Sequence, residues 1–160
     1  MEIALLTVGR LKAGPERELC SRYLERARKS GVRLGFRGFA VTEAAESRAA
    51  RADDRIAEEE RALSRLAGEG ARIVCLDAGG ELVTSEELAR ALSRDVEASL
   101  PRTAFFIGGP DGLGPRLLAR ADRRLSFGRV TFPHQLVRVL LAEQLYRAMT
   151  ILSGHPYHRA

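Results

Sequence analysis

Gly108-Gly109-Pro110-Asp111-Gly112 directly follows an apolar run, Thr103 to Ile107. Clustered glycines let a backbone come close to a bound molecule and adopt positive φ. A loop of this kind after a buried strand lies at the carboxyl edge of a sheet, where open α/β folds take their ligands. The pattern is neither Gly-Lys-Ser/Thr nor GxGxxG, so alone it fits a tight turn as well as a ligand loop. A second stretch, Phe127-Gly128-Arg129-Val130-Thr131-Phe132-Pro133-His134, runs apolar into a proline that can open a helix. All three histidines, His134, His155 and His158, fall within the last 27 residues, and the tail reads Gly154-His155-Pro156-Tyr157-His158-Arg159. Tyr157 can stack on a base and Arg159 can pair with phosphate. His155 and His158 straddle a proline with no carboxylate or cysteine beside them, so no metal site is expected. Between these motifs lie Arg138, Glu143 and Arg147; the last two, four apart, can equally pair with each other on a helix.

These residues need elements to hold them. Glu2 to Val8 is an apolar, β-prone run ending at Gly9 and reads as a strand. Pro15 opens a helix in which Leu19, Tyr23, Leu24 and Ala27 recur at helical spacing, closing near Gly31. Val32, Leu34 and Phe36 alternate with Arg33, Gly35 and Arg37, which predicts a half-buried strand. Glu46 to Ala67 is charged and alanine-rich, with Ile56, Leu63 and Leu66 on one narrow face. That predicts a surface helix whose charges are solvated. Ala71 to Leu76 reads as a short strand bounded by Asp77 and Gly79-Gly80. Thr84 with Glu87 makes a capping box, starting a helix that runs towards Ser99. Thr103 to Ile107 is the next strand, followed by a short helix from Pro115 to Ala121 and a strand around Leu125–Phe127. After Pro133, Val137, Leu140, Leu141, Leu145, Ala148, Met149 and Leu152 hold a 3.6-residue period, an amphipathic helix. Strands alternating with helices predict an α/β fold with a mostly parallel sheet, as one domain over residues 1–160.

Composition narrows the class. The chain is 45% apolar and 29% charged, which suits a packed core with a charged surface. No apolar run approaches the roughly 20 residues of a membrane span. The start, MEIALLTVGRLKAG, lacks a basic segment ahead of its apolar stretch and reads as a strand instead of a leader. Cys20 and Cys75 are isolated, so a reducing, cytoplasmic setting is expected. The net charge of +5 is uneven. Residues 101–160 hold nine arginines against Asp111, Asp122 and Glu143, a net of +6; residues 1–100 hold 17 basic and 18 acidic residues, a net of −1. An anionic partner is expected to meet the last third.

Taken in order, IGGPDGL (107–113), LSFGRVTFPHQLVRVLLAEQLYRA (125–148) and HPYHR (155–159) closely resemble the RlmH family of SPOUT-superfamily RNA methyltransferases. Val8-Gly9 and Leu11-Lys12 fit the same resemblance. It implies an S-adenosyl-L-methionine-dependent enzyme that methylates N3 of a pseudouridine in large-subunit (23S) ribosomal RNA on the assembled ribosome. It further implies a homodimer and a C-terminal trefoil knot. Carried over by position, the cofactor would meet Leu76, Gly108, Gly109, Phe127, Gly128, Arg129, Val130, Thr131 and Phe132. Catalysis would fall to His134, Arg147, Tyr157, His158 and Arg159, with Arg138 and Glu143 on the RNA side. The N3 proton must leave: His158 or His134 could accept it, or Arg147 or Arg159 could stabilise the anion, and the sequence leaves both open. Two other readings stand beside this one. A different SPOUT enzyme would act on transfer RNA or a ribose, and a non-catalytic RNA binder would use the basic last third as a patch.

Overall fold

Alternation along β1 (Glu2–Val8) sets the layers. Ile3 and Leu5 point to one face of the sheet, Ala4, Leu6 and Val8 to the other, and all five are buried. A strand covered on both faces reads as an unbroken apolar run, the signature of a parallel sheet between helices. The structure is a computed structural model that describes residues 1–157. Its further elements are α1 (Pro15–Gly31), β2 (Gly38–Ala44), α2 (Ala52–Leu66), β3 (Arg72–Leu82), α3 (Ser85–Glu97), β4 (Arg102–Ile107), α4 (Pro115–Arg120), β5 (Arg123–Ser126) and α5 (His134–Leu152).

Every strand pairing is parallel, in the order β2-β1-β4-β3-β5. The connections obey one rule of hand. Steps towards the β2 edge, β1 to β2 and β3 to β4, carry α1 and α3 over the face with Leu5, Val74 and Phe105. Steps towards the β5 edge, β2 to β3 and β4 to β5, carry α2 and α4 over the face with Leu6, Cys75 and Phe106. A change of direction with a change of face keeps one crossover hand throughout, as strand twist demands. From β5 the chain returns to the first face, where α5 packs on α1 and α3. No helix among the described residues is long and apolar enough to cross a membrane.

Most expected elements form, and the capping box does as well: Glu87 N–H donates to Thr84 Oγ1 at 3.1 Å and Thr84 N–H to Glu87 Oε2 at 2.7 Å. Three expectations change. The strand expected at Val32–Phe36 is instead a 3-10 turn, Val32–Leu34, ended by Gly35 at φ 89°. A left-handed glycine interrupts any extended run there, so Val32 is 63% exposed while Phe36 turns into the core. The expected boundary at Gly79-Gly80 is a bulge within β3, which resumes its pairing with β5 at Glu81. Finally, α2 begins at Ala52, and its charges are not all solvated, since Glu59 and Glu60 are buried.

Both buried carboxylates have structural reasons. Glu59 Oε1 accepts from Ser47 N–H at 2.9 Å, and burial pushes its carboxyl pKa up. Glu60 Oε2 accepts from Arg116 N–H at 2.9 Å and Leu117 N–H at 3.1 Å, the first turn of α4. The N-cap of α4 is Gly114, which has no side chain to do this, so α2 supplies the cap. Replacing Glu60 with alanine is expected to lower stability by about 1–2 kcal/mol. Chemical denaturation checks this, and wild-type stability in the variant would refute it.

Candidate cofactor and substrate site

The bulge of β3 and the carboxyl ends of β4 and β5 surround a cavity of about 660 Å³. That volume lies within the usual range for small-molecule sites, about 300–1,000 Å³, and the place is the one where open parallel sheets bind ligands. Its floor is the glycine loop after β4. Gly112 N–H closes the turn onto Gly109 O at 3.0 Å, with Gly112 at φ 84°. Gly108 sits so close to the returning strand of the turn that a Cβ there would lie 2.5 Å from the Gly112 carbonyl carbon. Arg55 of α2 fixes the loop from outside: Nε reaches Asp111 Oδ2 at 2.7 Å and NH2 reaches Oδ1 at 3.2 Å. The same guanidinium donates to the carbonyls of Ala49 and Ala50 and holds the Asp111 carboxyl below its ordinary pKa.

The opposite wall is the segment after β5. Ser126 Oγ donates to Gly128 O at 2.8 Å and accepts from Gly128 N–H at 3.2 Å, curling the chain at a glycine with φ 141°. Of the residues expected to meet a cofactor, Leu76, Gly108, Gly109, Phe127, Gly128, Val130, Thr131 and Phe132 all line the cavity. Arg129 does not: it is exposed and lies outside the lining. His134, the first residue of α5, also lines the cavity, as do Asp77, Ser126 and Val137, which sequence reading had not singled out. Adjacency to Leu76 was the available signal for Asp77.

A second cluster forms further along α5. Glu143 Oε1 accepts from Arg147 Nε and NH2 at 3.0 and 2.7 Å, and from the Tyr157 hydroxyl at 3.2 Å. The Arg147 guanidinium lies 5.2 Å from the Tyr157 ring centre, and the Tyr146 and Tyr157 rings are 4.6 Å apart. Burial pushes the Tyr157 phenol up to about 12, with Tyr23 and the Glu143 carboxylate adding to the rise. Tyr157 therefore stays protonated at neutral pH and can donate but not act as a base. The hydrogen bond to Glu143 raises the Arg147 pKa, so this residue is a fixed cation. His158 and Arg159 lie outside the described residues.

Arg138 is corrected. Expected on the RNA side, it is 1% exposed, with its guanidinium donating to Val8 O, Gly9 O and Glu43 Oε1. It braces α5 against the ends of β1 and β2 and cannot reach an external partner. The basic last third is likewise less bare than its count suggests. Arg102, Arg123, Arg124 and Arg138 pair with Glu2, Glu81, Asp77 and Glu43, all from the first hundred residues.

The two clusters are separate within one chain. Arg147 lies ten residues along α5 from Val137 on the cavity, a rise of roughly 15 Å at 1.5 Å per residue.

Comparison with known proteins places these features. Residues 1–158 match the family model described as "Predicted SPOUT methyltransferase". The chain is 52% identical to the ribosomal RNA large subunit methyltransferase H of Rhodopseudomonas palustris (strain BisB5), covering 100% of both chains. It is also 52% identical to the protein of that name in Rhizobium meliloti (strain 1021), again over 100% of both. Among solved structures it resembles a probable methyltransferase from Bordetella pertussis Tohama I, with a TM-score of 0.51, 12% identity, and coverage of 92% of this chain and 95% of that one. This last likeness concerns the fold alone. A full-length match to the family model and half-identical relatives of equal length lead to one assignment: the chain belongs to the SPOUT methyltransferase family, in the ribosomal RNA large subunit methyltransferase H group.

Proposed function

We propose that the protein is a homodimeric, S-adenosyl-L-methionine-dependent methyltransferase acting on N3 of a pseudouridine in 23S ribosomal RNA of the assembled ribosome, and hence in the cytoplasm. Relatives named for large-subunit ribosomal RNA methylation support the substrate class. The cavity supports the cofactor: backbone groups of the loops at Gly108 and Gly128 face the apolar side chains of Leu76, Val130 and Phe132, a cradle suited to a nucleoside with a sulfonium-bearing arm. Bound there, the cofactor supplies an electrophilic methyl group. A knotted path through the two loops belongs to the same reading, and both loops line the one cavity.

The observation that carries the reading is the separation along α5. In-line transfer needs reacting atoms about 3–3.5 Å apart, whereas Arg147 stands roughly 15 Å of helix beyond the cavity wall. A two-fold axis that sets two copies of α5 side by side, running in opposite directions, brings the Glu143–Arg147–Tyr157 cluster of one protomer to the cavity of its partner. Arg147 then stabilises negative charge on the base as N3 loses its proton. Tyr157 offers a donor and a stacking face. His134 on the cavity wall and His158 in the tail are the candidate proton acceptors, and Arg159 adds a second cation.

Subunit mixing tests this. A cavity variant, Gly108→Val, and a cluster variant, Arg147→Ala, are each expected to be inactive as homodimers. Equal mixing through refolding makes half the dimers mixed, each with one intact site, so about a quarter of wild-type activity returns. Methyl incorporation into ribosomes from cells lacking the enzyme is the readout. No recovery in mixed dimers that are shown to form would refute the shared site. A non-catalytic RNA binder would instead show no affinity for S-adenosylmethionine in calorimetry.

A further inference from the structure

The β3 bulge places a carboxylate on the cavity wall. β3 pairs with β5 through Leu76 opposite Leu125, then resumes with Glu81 opposite the same Leu125, so residues 77–80 are looped out. The loop is packed too tightly to be slack. A Cβ at Gly80 would come 2.6 Å from the Leu125 carbonyl carbon, and one at Gly79 would sit 3.3 Å from both Arg124 NH2 and Asp77 Oδ2. Gly79 thus leaves space for an ion pair between Arg124 and Asp77 Oδ2, and Gly80 for the close approach of the β5 backbone. Asp77 is the one carboxylate among the cavity's described lining residues, and its side chain is 24% exposed. Its Oδ1 accepts no hydrogen bond from any described residue.

We infer that Asp77, oriented by Arg124, is a cofactor-binding residue whose free carboxylate oxygen accepts hydrogen bonds from the donor groups of the cofactor. This rests on reading the cavity as the S-adenosylmethionine site. That ligand brings two kinds of donor, the ribose hydroxyls and the α-ammonium, and its sulfonium also favours a nearby negative charge. The rest of the wall offers mainly backbone groups and apolar side chains, with Ser126 Oγ already engaged by Gly128. A carboxylate held by an arginine keeps a fixed direction, so little ordering is left for the moment of binding. Arg124 is accordingly a positioning residue.

Calorimetry with S-adenosylmethionine, S-adenosylhomocysteine and adenosine, on wild type and on Asp77→Ala, Arg124→Ala and Glu81→Ala, tests this. The Asp77 variant is expected to bind S-adenosylmethionine roughly tenfold to a hundredfold more weakly, the loss of a charged hydrogen-bond acceptor. Arg124→Ala is expected to fall between it and wild type. Glu81→Ala, which breaks the neighbouring β3–β5 pair with Arg123, is expected to leave affinity unchanged and so reports on strand disruption alone. A matching loss for adenosine assigns the ribose hydroxyls, and an undiminished adenosine affinity assigns the ammonium. An Asp77→Ala protein that binds S-adenosylmethionine within about twofold of wild type overturns the inference. A wild-type protein that binds no S-adenosylmethionine refutes the cofactor reading itself.

Discussion

Valine at Gly108 is expected to eliminate cofactor binding while the sheet stays folded. The added Cβ would stand 2.5 Å from Gly112 C, 2.6 Å from Gly112 O and 2.8 Å from Leu113 N. All three are backbone atoms of the same turn, so no side chain can swing away to make room. The loop must open instead, and it is one wall of the cavity. An opened wall loses both the apolar contact and the amide groups on that side, and an affinity drop of more than about a hundredfold follows, the equivalent of roughly 3 kcal/mol. Gly112→Ala makes the useful contrast. Nothing lies within 4 Å of a Cβ there, and only the φ of 84° opposes it. That conformational strain costs on the order of 1–2 kcal/mol and leaves the wall in place. Calorimetric titration with circular dichroism as the folding control separates the two variants. Near-normal affinity in Gly108→Val would mean that this turn does not shape the site.

The second large effect belongs to stability. Arg138→Met is expected to destabilise the fold by about 3–5 kcal/mol, the usual result of removing one partner from a buried ion pair. The methionine fills most of the space but donates nothing to Val8 O, Gly9 O or Glu43 Oε1. Those two carbonyls are the last of β1 and the one just after it, so the loss is felt where three elements meet. At roughly 2–4 °C per kcal/mol for a chain of this size, the melting temperature drops by about 10 °C. Glu43→Gln is expected to cost less, since Glu43 lies partly at the surface and an amide oxygen still accepts. Burial lowers the Arg138 pKa and Glu43 opposes that shift. A variant with wild-type melting and weakened ribosome binding would restore Arg138 to the RNA side.

How much of this could be read beforehand differs by residue. The capping box at Thr84 and Glu87 was legible because both partners lie three residues apart, and the loop after β4 because its glycines are contiguous. The cavity's second wall was legible through the family resemblance, which pointed to residues 127–132, and all of these but Arg129 line it. Arg138 was not, because a helical period says which face a residue occupies and nothing about what covers that face. Its acceptors are Glu43 and the carbonyls of Val8 and Gly9, remote in sequence. Glu60 hid in the same way, as a charge in a charged helix whose partners are the backbone amides of α4. Gly79-Gly80 misled in the opposite sense. Paired glycines commonly end a strand, and here they let one pass close to its neighbour.

The stretch of α5 between its cavity end and its Glu143–Arg147 end acts as a gauge, and a gauge tolerates no editing. One residue inserted between Val137 and Glu143 would swing the far cluster by about 100° around the axis and advance it by 1.5 Å. A seven-residue insertion would nearly restore the bearing but lengthen the rod by about 10 Å. In the proposed dimer, neither would leave the two antiparallel helices in register across the two-fold axis. On the proposed shared site, substitutions along this stretch can drift as packing allows, whereas its length would be set by the distance from a methyl group to a base.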